Sequence, residues 1–373
     1  MHPSDAARGV LTWAHIGDLH LTTAGLDNHR DFLQITALLA ALPPGSVDFV
    51  LLPGDNADDG AVGQYALISD AMQRFPLPVH VLPGDHDFKE RSLSAFYQQL
   101  GARALPYAVK VRGHRCLFLD VVSAGTGGPD FRLGHDQLSW LEAEVEAAAA
   151  AGEDAVVFMH TYPADLREGS ERLLSVLQRP GIACVDMGHT HYNELASDGS
   201  TVFMATRSTG QIEEGPPGFS IAALDQGVVG WRFKPLSEAW PFVLITHPVD
   251  RRLATATSVA SAEPGLVRAK VMGGAPVATV EIRVDDGNWL PMRMLAGNTA
   301  LWEADARTGA SRIEVRATDI EGRSDEDVIE PAASGWRATP GLDDGSDRSR
   351  VESWAAKGIV GGQLGPNRNG RKW

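Results

Sequence analysis

The chain has 373 residues, a length that corresponds to about two or three domains and allows a sizeable hydrophobic core. Its 43% hydrophobic and 22% charged residues exclude wholesale disorder and a fibrous protein. The 33 basic and 48 acidic side chains give a net charge of −15, which argues against a broad electrostatic surface for nucleic acid or anionic lipid.

Cysteine usage and the N-terminus indicate the compartment. Cys116 and Cys184 each lie in a short apolar run that predicts a buried strand, and we expect both to be reduced thiols. Apolar stretches stay below the roughly 18 residues of a membrane span, and residues Met1 to Val10 lack the basic start and apolar core of a signal peptide. We therefore expect a cytoplasmic protein without a membrane partner.

Short β-rich runs alternate with segments of helical period from Val10 to about Leu236, which predicts an α/β domain over residues 1–236. The runs that predict its strands are Val10 to Gly17, Val47 to Leu52, Pro78 to Leu82, Arg115 to Val122, Ala155 to Met159 and Ile182 to Met187. The segments that predict amphipathic helices are Phe32 to Leu42, Tyr65 to Phe75 and Leu138 to Val145. After Gly188 the pattern predicts strands only.

A boundary is predicted at Pro235 to Pro248, because two-residue alternation without helical period follows it. We predict a small all-β sandwich of immunoglobulin-like type over residues 237–331, with Asp286-Gly287 as a hairpin turn. Its predicted strands are Gly265 to Met272, Val277 to Val284, Trp289 to Met294, Ala300 to Ala304 and Arg312 to Asp319.

Residues 332–373 are rich in Gly, Asp, Ser and Arg, a composition typical of a linker or tail. They also contain Trp336, Trp354 and Trp373, which is unusual for a solvated segment. Disorder and docking on the folded body both remain open, and in the second case we expect Trp354 and Trp373 to be the anchors, near the active-site face.

Acidic and imidazole side chains follow the predicted strands of the first domain. The blocks are Asp18-Leu19-His20, Gly54-Asp55, Gly84-Asp85-His86-Asp87, His160 and Gly188-His189-Thr190-His191. Each block alone has an ordinary explanation as a turn, a helix cap or a core histidine. Their recurrence at strand ends, where open α/β sheets place ligand sites, favours a metal centre. Carboxylates and imidazoles without a thiolate are typical ligands of Mn²⁺, Zn²⁺ or Fe²⁺.

These blocks, in this order, resemble the calcineurin-like metallophosphoesterase superfamily, whose motifs are Asp-x-His, Gly-Asp, Gly-Asn-His-Asp/Glu, His and Gly-His-x-His. Residues His15 to Leu21, His160 to Pro163 and Gly215 to Phe219 look most similar to the bacterial cyclic-nucleotide phosphodiesterase branch. The resemblance covers about residues 10–236. It implies a four-layer α/β/β/α sandwich around a two-metal site.

The resemblance also implies a role for each matching residue. Asp18, His20 and His191 would bind one metal ion, Asp85, His160 and His189 the other, and Asp55 would bridge them. The implied cofactors are two divalent ions of Mn, Fe or Zn. The sequence departs from the family at Asp85, where Asn is usual. Because a third carboxylate lowers the positive charge of the centre, we predict weaker Lewis acidity or a preference for a harder or higher-valent ion.

The chemistry of phosphodiesters explains this set of residues. Two metal ions about 3.5 to 4 Å apart neutralise phosphoryl oxygens and lower the pKa of bound water towards about 7, which provides hydroxide for in-line attack. His86 is the candidate for protonating the leaving oxygen or stabilising the transition-state charge. Asp87 or Asp58 is expected to orient His86, with loop capping as the alternative role for Asp87. Arg207 is the candidate for contacting a substrate phosphate, with a surface salt bridge as its alternative role.

We therefore expect hydrolysis of a small phosphodiester such as a 3′,5′-cyclic nucleotide. Phosphomonoesters and glycerophosphodiesters are alternative substrates, and a non-catalytic scaffold whose sandwich domain recruits a partner is an alternative of another class. Metal-competent side chains at every ligand position favour the enzyme. The acidic net charge, with the basic cluster Arg368, Arg371 and Lys372 confined to the terminal segment, argues against a nucleic-acid polymer as substrate. A homodimer is an option that the sequence leaves open.

Overall fold

The structure is a computed structural model that describes residues 9–212, 214–298, 300–333, 335–337 and 350–360. The helices are α1 (Asp27–Ala40), α2 (Val62–Met72), α3 (Ser94–Leu100), α4 (His135–Ala151), α5 (Ser170–Leu177) and α6 (Ala256–Ser261), with short 3₁₀ helices at Pro163–Asp165 and Ala355–Lys357. The strands are β1 (Leu11–His15), β2 (Phe49–Leu52), β3 (Val79–Val81), β4 (Tyr107–Val111), β5 (His114–Phe118), β6 (Ala155–Met159), β7 (Ile182–Met187), β8 (Glu194–Ser197), β9 (Val202–Ala205), β10 (Gly218–Asp225), β11 (Val228–Pro235), β12 (Phe242–His247), β13 (Leu266–Met272), β14 (Val277–Val284), β15 (Leu290–Pro291), β16 (Arg293–Met294), β17 (Leu301–Asp305), β18 (Ile313–Asp319) and β19 (Ser324–Ile329).

Two sheets build the first unit. The five-stranded sheet has the order β11-β10-β1-β2-β3, and the six-stranded sheet has the order β4-β5-β6-β7-β9-β8. Strands β1, β2 and β3 run parallel to one another, as do β5, β6, β7 and β9. Each sheet therefore gathers the loops that follow its parallel strands at one edge. The mixed α/β class predicted from the sequence is confirmed.

Side chains on each strand alternate between two cores, because successive residues of a strand point to opposite faces. Ala14 and Ile16 pack with Phe32 and Ile35 of α1 on the outer side of the five-stranded sheet. Trp13, by contrast, packs into a core between the two sheets. The helices thus cover the outer faces of a pair of sheets. The longest, α4, has 17 residues, and none of the described helices combines the length and apolarity needed to cross a membrane.

The core between the sheets is aromatic. Trp13 stacks on Phe49 with ring centroids 6.1 Å apart, and Phe118 stacks on Phe158 at 4.7 Å. Cys116 and Cys184 are unpaired and buried in this core, as predicted. Burial raises the pKa of both thiols, so neither has the properties of a reactive cysteine.

The second unit contains two four-stranded sheets, of order β12-β13-β17-β16 and β15-β14-β18-β19, that share an apolar core. The sequence prediction missed β12, β19 and α6. Strand β12 is buried along its whole length and β19 begins Ser-Asp-Glu-Asp, so neither shows apolar alternation. The predicted turn is displaced by one residue, because Gly287 N–H donates to the Val284 carbonyl and Asp285 adopts a positive φ of 52°. The immunoglobulin-like type of this sandwich stays a prediction.

Residues 350–360, which we name the C-terminal strap, pack against both units. Val351 N–H donates to the Leu195 carbonyl of β8 at 2.7 Å, and Trp354 is buried in the core between the sheets of the first unit. Lys357 is buried against Asp327 of β19, with Nζ 2.6 and 2.7 Å from the two carboxylate oxygens. Trp354 thus anchors the chain, whereas Trp373 lies outside the described residues.

Candidate metal centre

Acidic and imidazole side chains converge between the loop edges of the two sheets. One group comprises Asp18, His20, Asp55 and His191, and the other comprises Asp55, Asp85, His160 and His189. Within each group the potential ligand atoms lie within 4.8 Å of one another, and Asp55 belongs to both. The structure therefore brings together all the residues that the sequence motifs suggested. We refer to these seven side chains as the metal centre, and their role as ligands stays a prediction.

Each group takes side chains from both sheets. Asp18 and His20 follow β1, and Asp55 and Asp85 follow β2 and β3, all in the five-stranded sheet. The other three histidines, His160, His189 and His191, come from the six-stranded sheet, after β6 and β7. The arrangement of the centre consequently depends on how the two sheets sit against each other.

Unpaired polar atoms in the centre fit a pair of cations. Asp18 Oδ1, Asp85 Oδ1 and His160 Nε2 have no hydrogen-bond partner within the part of the chain that the structure describes. The three residues are at most 8% exposed. A buried polar group without a partner costs about 1–3 kcal/mol. Because carboxylate and imidazole donors suit Mn²⁺, Fe²⁺ or Zn²⁺, divalent ions would supply the missing partners.

The backbone of the centre is strained. Among the described residues, eight non-glycine residues have positive φ, and four of them belong to the centre: His20, Asp55, His189 and His191, at 43°, 49°, 67° and 60°. This region is disfavoured for residues that carry a Cβ, at a cost of order 1–3 kcal/mol each, and such strain gathers at functional sites.

Two motif glycines allow the close approach of these loops. A Cβ on Gly84 would lie 2.1 Å from Asp55 Oδ1, and one on Gly188 would lie 2.4 Å from Asp18 Oδ1. Real Cβ atoms do not approach so closely. The glycines in the Gly-Asp-His-Asp and Gly-His-Thr-His blocks therefore make room for carboxylates of the neighbouring loops.

Backbone contacts orient several of the side chains. His160 Nδ1 donates to the Pro53 carbonyl at 3.0 Å, and His160 Nε2 lies 3.5 Å from Asp55 Oδ1 and 3.4 Å from Asp85 Oδ1. His189 N–H donates to Asp18 Oδ2 at 2.7 Å, which ties loops of the two sheets together. These contacts hold the potential ligand atoms towards one another.

The buried carboxylates of the centre favour positive charge nearby. Burial alone lowers the pKa of His160, but the carboxylates of Asp55 and Asp85 outweigh it and raise this pKa well above its usual value. Burial raises the pKa of Asp55, but His160 and His20 hold it well below its usual range. The pKa of His191 falls to about 4 because burial dominates there. Protons and metal ions would therefore compete for the same side chains.

His86 and Asp58 lie beside the centre. Asp58 Oδ1 is 3.1 Å from His86 Nδ1 and 3.2 Å from His20 Nδ1, so one carboxylate contacts both imidazoles. The hydrogen bond from His20 lowers the pKa of Asp58 to about 2, with Lys89 adding to the effect. Asp58 is therefore the residue that orients the His86 ring through Nδ1, since its backbone carbonyl also lies 2.9 Å from this nitrogen.

Asp87 does not have the role predicted for it. Its carboxylate is buried and accepts hydrogen bonds from the backbone N–H groups of Asn56, Ala57 and Gly84, and from Tyr65 Oη. Burial and the charge of Asp55 raise its pKa. Because Asp87 caps the loops that carry Asp55 and Asp85, the loop-capping alternative is correct and the orientation of His86 by Asp87 is wrong.

The structure also contradicts the predicted phosphate contact of Arg207. This side chain is 2% exposed, and its guanidinium donates to the carbonyls of Glu214, Pro216 and Gly358 at 3.0, 3.1 and 3.0 Å. It also lies over the Phe233 ring, 4.2 Å from the centroid. Arg207 is therefore a structural residue that connects the loop around Glu214 with the C-terminal strap.

Gln211 belongs to the neighbourhood of the centre although sequence reasoning missed it. Its Nε2 lies 3.2 Å from His20 Nδ1 and 3.4 Å from Asp58 Oδ1. The hydroxyl of Ser208 holds this loop by donating to the Asp18 carbonyl at 2.7 Å. A lone Gln in a loop has no sequence signal, since its position depends on loop packing.

Known proteins resemble this chain over the same region. The sequence profile of the calcineurin-like phosphoesterase family matches residues 11–193. A probable cyclic nucleotide phosphodiesterase of Fibrobacter succinogenes is 25% identical over 238 residues, which cover 60% of this chain and 87% of that protein. The 3′,5′-cyclic adenosine monophosphate phosphodiesterase CpdA of Escherichia coli is 29% identical over 207 residues, which cover 52% and 73%.

Solved structures share the fold of this region. A dimetal phosphatase from Danio rerio superposes with a TM-score of 0.51 and 15% sequence identity. The superposition covers 61% of this chain and 97% of that protein. At this identity the likeness concerns the fold alone.

Proposed function

The chain belongs to the calcineurin-like phosphoesterase family and is a metal-dependent phosphoric ester hydrolase, and from this premise we propose that its substrate is a small phosphodiester such as a 3′,5′-cyclic nucleotide. The observation that carries the proposal is the pair of ligand groups that share Asp55, with His86 beside them. The names of the two relatives support a cyclic nucleotide over other diesters.

Asp55 is placed to join the two halves of the centre. Its Oδ1 lies 3.5 Å from His160 Nε2 and its Oδ2 lies 3.7 Å from His20 Nε2, so each oxygen faces one group. The backbone N–H of His86 donates to Asp55 Oδ1 at 2.9 Å and holds this carboxylate in place. Two divalent ions of Mn, Fe or Zn, held by the metal centre, would neutralise the phosphoryl charge and supply a nucleophile at neutral pH.

His86 supplies the proton in this proposal. Asp58 accepts from its Nδ1 at 3.1 Å and, with its own pKa lowered to about 2, carries a negative charge at neutral pH. His86 is about one-quarter exposed, so its Nε2 can meet a substrate oxygen. Transfer of this proton to the leaving oxygen converts a poor alkoxide leaving group into an alcohol.

Three further features belong to the proposal. The unpaired cysteines are typical of a reducing compartment and support a cytoplasmic location. The paired four-stranded sheets of the second unit support an immunoglobulin-like domain. A homodimer stays a prediction, and light scattering of the purified protein would test it.

A substrate panel tests the proposed reaction. Metal-depleted protein receives Mn²⁺, Zn²⁺ or Fe²⁺ separately and is assayed with 3′,5′-cyclic AMP, glycerophosphocholine, p-nitrophenyl phosphate, bis-p-nitrophenyl phosphate and short DNA. We expect the highest kcat/KM with the cyclic nucleotide. Faster cleavage of the monoester or of glycerophosphocholine would identify a phosphomonoester or a glycerophosphodiester as the substrate instead. Bound metal without cleavage of any diester would favour the non-catalytic scaffold.

A further inference from the structure

An acid–imidazole pair lies deep in the core between the two sheets, apart from the metal centre. Asp186 Oδ1 is 2.7 Å from His15 Nδ1, and Trp13 Nε1 donates to Asp186 Oδ2 at 2.6 Å. None of the three side chains is more than 1% exposed. Because solvent cannot reach them, they cannot contact a substrate, and any role in the reaction must act through other residues.

The pair is not the arrangement that stability alone would favour. Apolar and aromatic side chains such as Leu11, Phe49 and Phe158 fill the same core. Replacing a buried, hydrogen-bonded polar pair by well-packed apolar residues is often neutral or stabilising. In addition, His15 Nε2 has no hydrogen-bond partner in the described part of the chain. Because burying these polar atoms costs stability, packing alone does not explain the pair.

The position of the pair in the fold supplies a reason. His15 ends β1 of the five-stranded sheet, three residues before Asp18, and Asp186 lies on β7 of the six-stranded sheet, three residues before His189. The pair therefore crosses from one sheet to the other directly before the chain enters the metal centre. Beyond it, His189 N–H donates to Asp18 Oδ2, so the same two strands meet again at the centre itself.

Hydrogen bonds restrict this crossing more tightly than apolar contacts do. Apolar contact is non-directional and tolerates small sliding of one sheet over the other, whereas a hydrogen bond weakens steeply when distance or angle changes. Asp186 accepts two such bonds, one at each of its oxygens, from Trp13 and His15 of β1. The two bonds together fix the distance between β1 and β7 and the position of one strand along the other.

We propose that Asp186, held by His15 and Trp13, is a positioning residue that sets the geometry of the metal centre. Each ligand group takes side chains from both sheets, so a small displacement of β7 against β1 would move His189 and His191 away from Asp85 and Asp18. The inference rests on the proposed metal centre, but it does not depend on the substrate.

Metal binding tests this role independently of turnover. Calorimetry on metal-depleted protein gives the stoichiometry and Kd for Mn²⁺, and electron paramagnetic resonance reports whether the two Mn²⁺ ions are exchange-coupled. We expect the parent protein to bind two coupled Mn²⁺ ions. Asp186→Leu should raise the Kd at least tenfold and weaken the coupled signal. Asp186→Asn can still accept from Trp13 and donate to His15 in its other tautomer, so it should stay within about threefold of the parent Kd.

Tyr107→Phe is the matched control, because it also removes a hydrogen bond between the sheets. Tyr107 Oη lies 2.9 Å from His80 Nδ1. Tyr107 begins β4, which carries no residue of the metal centre, and His80 lies on β3, five residues before Asp85, so only one of the two strands joined by this bond leads into the centre. We expect this variant to lose stability and to keep the parent Kd and coupled signal. If Tyr107→Phe and Asp186→Leu lose Mn²⁺ affinity equally, Asp186 contributes only to the stability of the fold, and the proposal is overturned.

Other outcomes are equally decisive. Parent-like Kd and coupling in Asp186→Leu would show that the pair does not position the centre. If Asp186→Leu does not fold, Trp13→Phe serves instead: it removes one of the two bonds and should raise the Kd about threefold, and an unchanged Kd would overturn the role. A parent that binds two Mn²⁺ ions but cleaves no diester refutes the proposed substrate and leaves this test intact, whereas a parent that binds no Mn²⁺ refutes both.

Discussion

Two regions of this molecule bury several charges, and they treat them differently. At the junction of the C-terminal strap with the two units, both buried carboxylates have hydrogen-bond partners; its residues are Arg232 of β11, Asp325 and Asp327 of β19, and Lys357 of the strap. Asp327 accepts from Lys357 and from the backbone N–H of Ile245, and Asp325 accepts from Arg232 and from the N–H of Val243. In the metal centre, carboxylate and imidazole atoms are buried without hydrogen-bond partners, and the backbone is strained.

The difference indicates what each region is for. Charged groups whose hydrogen bonds are all satisfied within the protein need no ligand, and their role is to stabilise the fold. In the metal centre, Asp18, Asp85 and His160 each bury an atom that has no hydrogen-bond partner among the described residues, and neighbouring residues have strained backbone. These atoms would gain partners when cations bind. The junction should therefore respond to substitution through stability, and the metal centre through metal content and turnover.

Asp55→Ala should produce the largest effect. Loss of the carboxylate shared by both ligand groups should remove at least one equivalent of metal and lower turnover on the order of 10³-fold or more, because the metal ions provide several kcal/mol of transition-state stabilisation. Metal content by mass spectrometry and steady-state kinetics measure this. Asp70→Ala, at an exposed position of α2, is the control. An Asp55→Ala protein with two metal ions and parent turnover would contradict the bridging role.

His86→Ala should separate proton transfer from metal binding. We expect full metal content and turnover lower by about 10² to 10⁴, the usual contribution of a general acid. His135→Ala is the control, since that histidine is 82% exposed at the start of α4. Turnover of His86→Ala within about twofold of the parent would exclude the proton-donor role.

Lys357→Met should show the opposite response at the junction. It leaves Asp327 buried without its cation, so the free energy of unfolding should fall by about 3–5 kcal/mol while metal content stays the same. Adding Asp327→Asn in the same protein should recover part of this loss, because no unpaired charge then remains. Denaturant unfolding measures both variants. A loss below about 1 kcal/mol, or a loss of metal, would break the distinction between the two regions.

Asp85→Asn should have the smallest effect and reports on the charge of the metal centre. Removing one of three carboxylates should weaken binding of Fe³⁺ relative to Mn²⁺ and change turnover with divalent ions by roughly threefold to tenfold. Competition between the two ions for metal-depleted protein measures the preference. Asp59→Asn, in an exposed loop beside Asp58, should leave selectivity unchanged. Unchanged selectivity and turnover in Asp85→Asn would mean that the third carboxylate has no electrostatic role.

Features that depend on local sequence pattern could be predicted, whereas features that depend on contacts between distant residues could not. The metal centre could be located because its residues sit directly after apolar strands, and parallel strands bring such positions to one edge. The roles of Asp87 and Arg207 could not be assigned, because an acidic or basic side chain near a motif looks the same whether it faces a substrate or caps backbone groups. The choice between Asp58 and Asp87 as the partner of His86 likewise needed the folded loop.

By itself, the sequence determined the α/β alternation of the first unit, the burial of both cysteines and the membership of the metal centre, since each depends on local pattern. Only the tertiary structure decided that residues 350–360 dock, that β12 and β19 are strands, and that Asp186 meets His15 across the two sheets. The physical reason is that these features are contacts between residues far apart in the chain. Burial and hydrogen-bond partners of that kind exist only after the layers have packed.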